Sequence, residues 1–101
     1  MSMANLQRMA QQMQQQMARV QEELEAATVE GSAGGGVVRA VVTGKQEVVS
    51  VMIDPSAVDP DDVDMLQDLV VAAINDALME SRRLAESKMA AITGGLRLPG
   101  M

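Results

Sequence analysis

Residues 37–54 read VVRAVVTGKQEVVSVMID, and this segment predicts the centre of the architecture. Its two runs of β-branched residues, 37–43 and 47–54, favour extended strands. Gly44 and Lys45 separate the runs and predict a tight hairpin between them. The centre of the chain is therefore expected to form an antiparallel sheet.

The two faces of this hairpin differ in what they are expected to contact. Alternation along the strands puts Val38, Ala40 and Val42 on one face, which should pack against helices. The opposite face carries more apolar side chains than contact with water requires. That excess predicts a dimer interface at this face, formed by Val37, Val41, Val48 and Met52.

One helix is predicted before the strands in the chain, and a second helix is predicted after them. From Met3 to about Ala27, apolar residues recur at spacings of three and four, which indicates an amphipathic helix. A second helix is expected over about residues 60–92, with Asp59 as its N-cap and Pro60 in its first turn.

A short strand at residues 28–32, followed by three glycines, completes the expected order of elements. The glycines lack the GxxxxGK[ST] pattern of a phosphate-binding loop, so they are interpreted as a turn. The prediction is an α+β fold in one domain over residues 1–101. It consists of a long N-terminal helix, a three-stranded antiparallel meander within residues 28–54, a long C-terminal helix and a flexible tail over residues 96–101.

The composition excludes most catalytic chemistry, because the 101 residues contain no His, Cys, Trp, Tyr or Phe. Without His or Cys the chain has no thiolate nucleophile, no imidazole base and no soft zinc ligands. The acids at positions 54, 59, 61, 62 and 64 lack the Gly and the distal Glu of an EF-hand calcium loop. We therefore predict no enzyme activity, no catalytic residue, no metal site, no cofactor and no small-molecule substrate.

Length and hydropathy bear on assembly and location. A chain this short with no aromatic side chains would form a marginal core alone, so pairing with a second copy is expected. No run approaches the roughly 18 apolar residues of a membrane span, and the absence of Cys fits a reducing compartment. The protein is expected to be cytoplasmic and not to bind membranes.

The charges are unevenly distributed along the chain, whose net charge is −6. Residues 1–20 hold two bases and no acid, residues 46–80 hold nine acids and no base, and residues 81–101 hold four bases and one acid. If the first helix runs into the sheet and the last runs out of it, both basic segments lie at the same end. The predicted phosphate contacts, at the tips of helical arms, are Arg8, Arg19, Arg82, Arg83, Lys88 and Arg97.

Three short motifs carry a resemblance to a known family: Ile53-Asp54-Pro55, Pro60-Asp61-Asp62-Val63 and Thr93-Gly94-Gly95-Leu96. Together with the Met- and Gln-rich first helix, they make nearly the whole chain similar to the YbaB/EbfC family of small bacterial nucleoid-associated proteins. The resemblance implies a tweezer-shaped homodimer that binds double-stranded DNA with little sequence preference and alters its conformation. It also implies a place in the nucleoid and effects on gene expression or DNA protection.

Two functions remain open from the residues alone. The chain has no aromatic side chain for base stacking and no helix-turn-helix, zinc-finger or basic-zipper pattern, so DNA would be held through its phosphates. The alternative is a protein-interaction module in which the Met-rich N-terminal helix docks a partner. Salt should weaken phosphate binding steeply and leave docking on methionines nearly unchanged.

Overall fold

The computed structural model of the protein describes residues 2–94, which form two long helices and a sheet between them in the chain. The elements are α1 (Met3–Ala26), β1 (Thr28–Ala33), β2 (Val38–Thr43), β3 (Val48–Ile53) and α2 (Val63–Gly94). The sheet has the order β1-β2-β3, and both pairs of strands are antiparallel. The predicted α+β fold with a three-stranded meander is confirmed. The tail predicted to be flexible, residues 96–101, lies outside the described residues.

The acidic residues that precede α2 form a separate turn, and the helix begins only after this turn. The Asp59 carboxylate accepts the N–H of Asp61 at 2.9 Å, and the Asp59 carbonyl accepts the N–H of Asp62 at 2.9 Å. Asp62 then caps the helix by accepting the N–H of Met65 at 3.2 Å. The prediction that Asp59 caps α2 is wrong, because its side chain bonds the backbone two residues on and so stabilises a separate turn.

The Ile53-Asp54-Pro55 motif ends β3 with a second turn of this type. The Asp54 carboxylate accepts the N–H of Ser56 at 2.8 Å, and Pro55 opens a single 3₁₀ turn. The backbone N–H of Ser56, followed by its hydroxyl, lowers the pKa of Asp54 below its ordinary value of 3.8. This motif therefore redirects the chain from the sheet towards α2.

The loop between β2 and β3 is longer than the predicted two-residue hairpin. It spans residues 44–47, and Gln46 adopts a φ of 65°. The Thr43 hydroxyl accepts the N–H groups of Lys45 at 3.1 Å and Glu47 at 3.3 Å. A side chain at the end of β2 thus organises the loop, which the Gly44 signal alone did not indicate.

A β-bulge between β2 and β3 changes the predicted apolar row. The pairing shifts between Val41 and Val42 and places Val48 opposite the buried Val42. Val48 therefore lies on the helix-facing side of the sheet, while Met52 lies on the other side. Val37 precedes β2 and packs against the core. The prediction that these residues share one face is wrong, because one extra residue in a strand reverses the alternation.

The core lies between α2 and the sheet and is built from small residues. Val38, Ala40 and Val42 of β2 face Ala73 and Ala77 of α2, and all five are fully buried. Small side chains let the helix lie close to the strands. α2 covers β1 and β2, whereas every residue of β3 is exposed.

Ser81 fixes the point at which α2 leaves the sheet. Its side chain is fully buried, and its hydroxyl donates to the carbonyl oxygen of Thr43 at 2.8 Å. Beyond Ser81, α2 runs antiparallel to α1, where Val20 and Leu24 are buried. We call this helix pair the arm, residues 3–26 of α1 and 81–94 of α2. It gives the molecule its elongated dimensions of 70 × 27 × 16 Å.

We expect Ser81→Ala to lower the free energy of unfolding by about 1–2 kcal/mol, because a buried hydrogen bond is lost. Urea unfolding followed by circular dichroism measures the change. Ser87→Ala is the matched control, since Ser87 is exposed on the same helix. Equal losses in the two variants would contradict the role given to the Ser81 hydroxyl.

Candidate nucleic-acid interface

Two arginines of α1 lie on one face of the arm. Arg8 and Arg19 are eleven residues apart, which is close to three helical turns, so their directions differ by about 20° and their positions by about 16 Å. Both are exposed, and within residues 2–94 neither has a carboxylate within 4 Å. Gln12 lies between them and is also exposed. This face therefore offers two unpartnered charges and an amide donor in a line.

A groove between α1 and α2 brings a third cation to the same side of the arm. Its volume is about 410 Å³, and it is lined by Gln16, Arg19, Val20, Glu23, Lys88, Ala91 and Ile92. Val20, Ala91 and Ile92 are its apolar lining residues, and Arg19 and Lys88 are its cations. We call the side of the arm that carries Arg8, Arg19 and Lys88 the groove side.

Lys88 is held at the groove by an exposed ion pair. Its ammonium nitrogen lies 2.9 Å from a carboxylate oxygen of Glu23, and the two side chains are 31% and 46% exposed. A pair this accessible contributes at most about 1 kcal/mol. Lys88 can therefore exchange the carboxylate for a phosphate at small cost. Sequence analysis missed Glu23, because the pair joins residues 65 positions apart and leaves no local signal.

Arg82 and Arg83 lie at the base of the arm, next to the buried Ser81, and not at its tip as predicted. They precede Lys88 by six and five residues, so they point more than 100° away from it around the helix. The guanidinium of Arg83 also bonds the Glu80 carboxylate at 2.6 Å. The predicted position at the tip is wrong because α2 leaves the sheet only at Ser81, whereas phosphate contact by Arg82 and Arg83 stays a prediction. Arg97 lies outside the described residues.

The acidic residues of the chain lie mainly on the body, away from the arm. Residues 46–80, with nine acids and no base, form β3 and the part of α2 that covers the sheet. From Ser81 to Gly94 the helix continues about 20 Å beyond the sheet. A polyanion can therefore approach the end of the arm while most of the negative charge stays more than a Debye length of about 8 Å away.

Other kinds of site find little support in residues 2–94. No group of three or more His, Cys, Asp or Glu side chains there is arranged to hold a metal ion. In the same residues, no helix is long and apolar enough to cross a membrane.

Comparison with known proteins places the chain among DNA-binding proteins. The family model described as the YbaB/EbfC DNA-binding family matches residues 1–96. A nucleoid-associated protein of Moorella thermoacetica is 55% identical over 103 aligned positions, which cover 99% of both chains. Another, of Chloroflexus aurantiacus, is 55% identical and covers 96% of this chain and 97% of its own. The fold and the cationic arm are those of a small α+β DNA-binding protein. The chain belongs to the YbaB/EbfC family.

A solved structure supports the fold independently. The crystal structure of the uncharacterized Helicobacter pylori protein HP0035 superposes with a TM-score of 0.73 and covers 96% of this chain and 99% of its own. The sequence identity is 22%, so the likeness concerns the fold alone.

Proposed function

We propose that this protein is a nucleoid-associated homodimer that binds double-stranded DNA with little sequence preference and alters its conformation. The proposal rests on Arg19 and Lys88, which line the groove, and on Arg8, which helical geometry places on the same side of the arm, outside the acidic body. In a dimer two such arms would straddle a duplex. Family membership makes DNA the expected polyanion.

The mechanism follows from the kinds of side chain that the arm presents. Arginine, lysine and glutamine donate hydrogen bonds to phosphate oxygens, which fixes the protein on the duplex without reading its sequence. The chain has no aromatic residue on which an unpaired base could stack. Two arms that contact the DNA backbone from opposite sides would bind most tightly to DNA of a particular shape or bend. Effects on gene expression and DNA protection in the nucleoid would follow from this, without any catalysed reaction.

Binding to duplexes of unrelated sequence tests the proposal. We expect dissociation constants that agree within about threefold for three duplexes of equal length, because phosphate contacts carry no sequence information. A single strand of the same length should bind more weakly, since it has a lower charge density and nothing stacks on its bases. A strong preference for one duplex, or for the single strand, would contradict the mechanism.

An uncovered apolar surface supports the homodimer. Val51 pairs with the buried Ala40 and so lies on the helix-facing side of the sheet, yet 36% of it is exposed because α2 lies mainly over β1 and β2. Ile53 on the same side is 41% exposed, and Val71 on α2 is 58% exposed. β3 is also an edge strand with unpaired backbone groups, which invites pairing with another chain. We propose that a second copy covers this surface.

Val51→Glu is expected to weaken dimerisation at least tenfold, because it would bury an unpaired carboxylate in the interface. Sedimentation velocity over a range of micromolar concentrations measures the dimer fraction. Met52→Glu is the matched control on the opposite side of the same strand, where the interface was predicted from sequence. If Met52→Glu dissociates the dimer and Val51→Glu does not, the interface lies on the side predicted from sequence. If the wild-type protein is monomeric at these concentrations, both positions of the dimer interface are excluded.

The alternative function is that of a protein-interaction module that acts through the Met-rich α1. Family membership does not favour it. It predicts that binding to a partner is insensitive to salt, which separates it from binding to phosphates.

A further inference from the structure

Seven apolar residues of α1 form one continuous seam. Their spacing alternates strictly between three and four, which is the heptad pattern that packs one helix against another along a narrow line. We call this line the α1 seam; its residues are Met3, Leu6, Ala10, Met13, Met17, Val20 and Leu24.

In the described part of the chain the C-terminal part of the seam is buried, Met13 is half-buried, and the other seam residues are exposed. Val20 and Leu24 are 7% and 4% exposed beneath α2. Met3 is 74% exposed, Leu6 49% and Met17 40%. The groove that α2 forms near its end reaches α1 only as far as Gln16. The seam therefore continues from the α1–α2 interface onto a stretch of α1 of similar pattern that is largely exposed within residues 2–94.

The residues beside the exposed part of the seam carry no charge. Gln7, Gln14, Met9 and Gln16 are its flanking positions, and Arg8 points away from it. Charged flanking positions normally select an oppositely charged partner and reject a like one. Here nothing selects an acidic or a basic partner, and nothing repels an identical helix. The seam is thus suited to a second copy of itself.

We infer that residues 3–17 of the arm pair, in antiparallel orientation, with the same residues of a neighbouring molecule bound to DNA. An antiparallel register that places Leu6 opposite Met17 also places Ala10 opposite Met13, so a small side chain faces a large one. A parallel pair would put Ala10 opposite Ala10 and leave a gap. Because Arg8 lies away from the seam, the arm can pair and contact DNA together.

The length of the seam explains why pairing should depend on DNA. Residues 3–17 cover about two heptads, fewer than the three or four that characterise a coiled coil. Free molecules should therefore associate weakly through it. Molecules held on one duplex have a high effective concentration, which converts a weak contact into cooperative binding. The inference rests on the proposed DNA binding, and its consequence is clustering of the protein along DNA.

Binding to a short and a long duplex tests the inference. On a duplex that holds one dimer, the double variant Leu6→Gln, Met13→Gln should have a dissociation constant within about twofold of the wild-type value. No phosphate contact changes in this variant. On a duplex of several hundred base pairs, wild type should bind cooperatively, on the order of tenfold more tightly, and the variant should not. Ala4→Gln with Ala18→Gln is the matched control, because both residues are exposed and off the seam.

Cross-linking provides a second readout that does not use affinity. The chain has no cysteine, so Ala10→Cys with Met13→Cys introduces the only thiols. Oxidation on long DNA should link molecules into species larger than the dimer, and oxidation on the short duplex should not. Non-cooperative binding by wild type, or unchanged cooperativity in the seam variant, would overturn the inference. Failure to bind the short duplex would overturn the proposed function instead; cross-linking at high protein concentration would then still test the seam.

Discussion

Gly31→Ala is expected to destabilise the fold by about 3–5 kcal/mol, a large part of the 5–15 kcal/mol typical of a native domain. Gly31 lies in β1 directly under α2. A Cβ atom at this position would lie 2.1 Å from the backbone nitrogen of Ala77 and 2.7 Å from the carbonyl oxygen of Ala73. Both contacts are to backbone atoms, so no side-chain rotation relieves them.

The helix has little freedom to retreat from that clash. Ala73 and Ala77 are packed against Ala40, and Ser81 is bonded to Thr43 one turn farther along α2. Moving the helix outward would open a gap over the whole sheet, which costs dispersion contacts across the core.

Chemical unfolding at a fixed protein concentration measures the effect of the Gly31 substitution, since dimerisation makes apparent stability depend on concentration. Gly94→Ala is the matched control, because nothing lies within 4 Å of a Cβ atom built there. We expect that control to be neutral or slightly stabilising, as alanine favours helix. A change below 1 kcal/mol for Gly31→Ala would show that α2 is not seated on β1 as described.

Arg8→Gln with Arg19→Gln is expected to reduce affinity for duplex DNA on the order of 100-fold near physiological salt. The double change removes two phosphate contacts from each arm, and therefore four from a dimer. Glutamine keeps the helix propensity and the hydrogen-bonding capacity of the position. Since both arginines are exposed and lack ion pairs within residues 2–94, the fold should be unaffected.

Arg82→Gln with Arg83→Gln provides the control for total charge. It removes the same charge from the base of the arm, where the side chains point away from the groove side. We expect the affinity of this variant for duplex DNA to fall by less than about tenfold. Equal losses in the two double variants would show that only overall charge matters, and not the groove side. Circular dichroism of both variants would confirm that their helices are intact.

The sequence predicts those features that depend on local periodicity. Alternation along β2 identified Val38, Ala40 and Val42 as the helix-facing core, and the structure buries all three. The three-and-four spacing in α1 likewise predicted a long amphipathic helix, and the structure has α1 from Met3 to Ala26. Both features follow from neighbours a few residues apart, whose geometry is set by the backbone alone.

Features set by distant residues were not predictable in the same way. The bulge that moves Val48 to the other face depends on the register of β3 against β2, because either register satisfies the turn signals. The position of Arg82 and Arg83 depends on where α2 leaves the sheet. That point is fixed by a hydrogen bond between Ser81 and Thr43, which are 38 residues apart.

The salt dependence of duplex binding measures how many phosphates the groove side of the arm contacts. Three groove-side cations per arm predict six phosphate contacts per dimer, and therefore a slope of about −5 for log K against log salt. Arg8→Gln with Arg19→Gln should reduce this slope to about −2, because only Lys88 remains on each arm. A wild-type slope near zero, or one that the double change leaves unaltered, would contradict phosphate binding by the groove side of the arm.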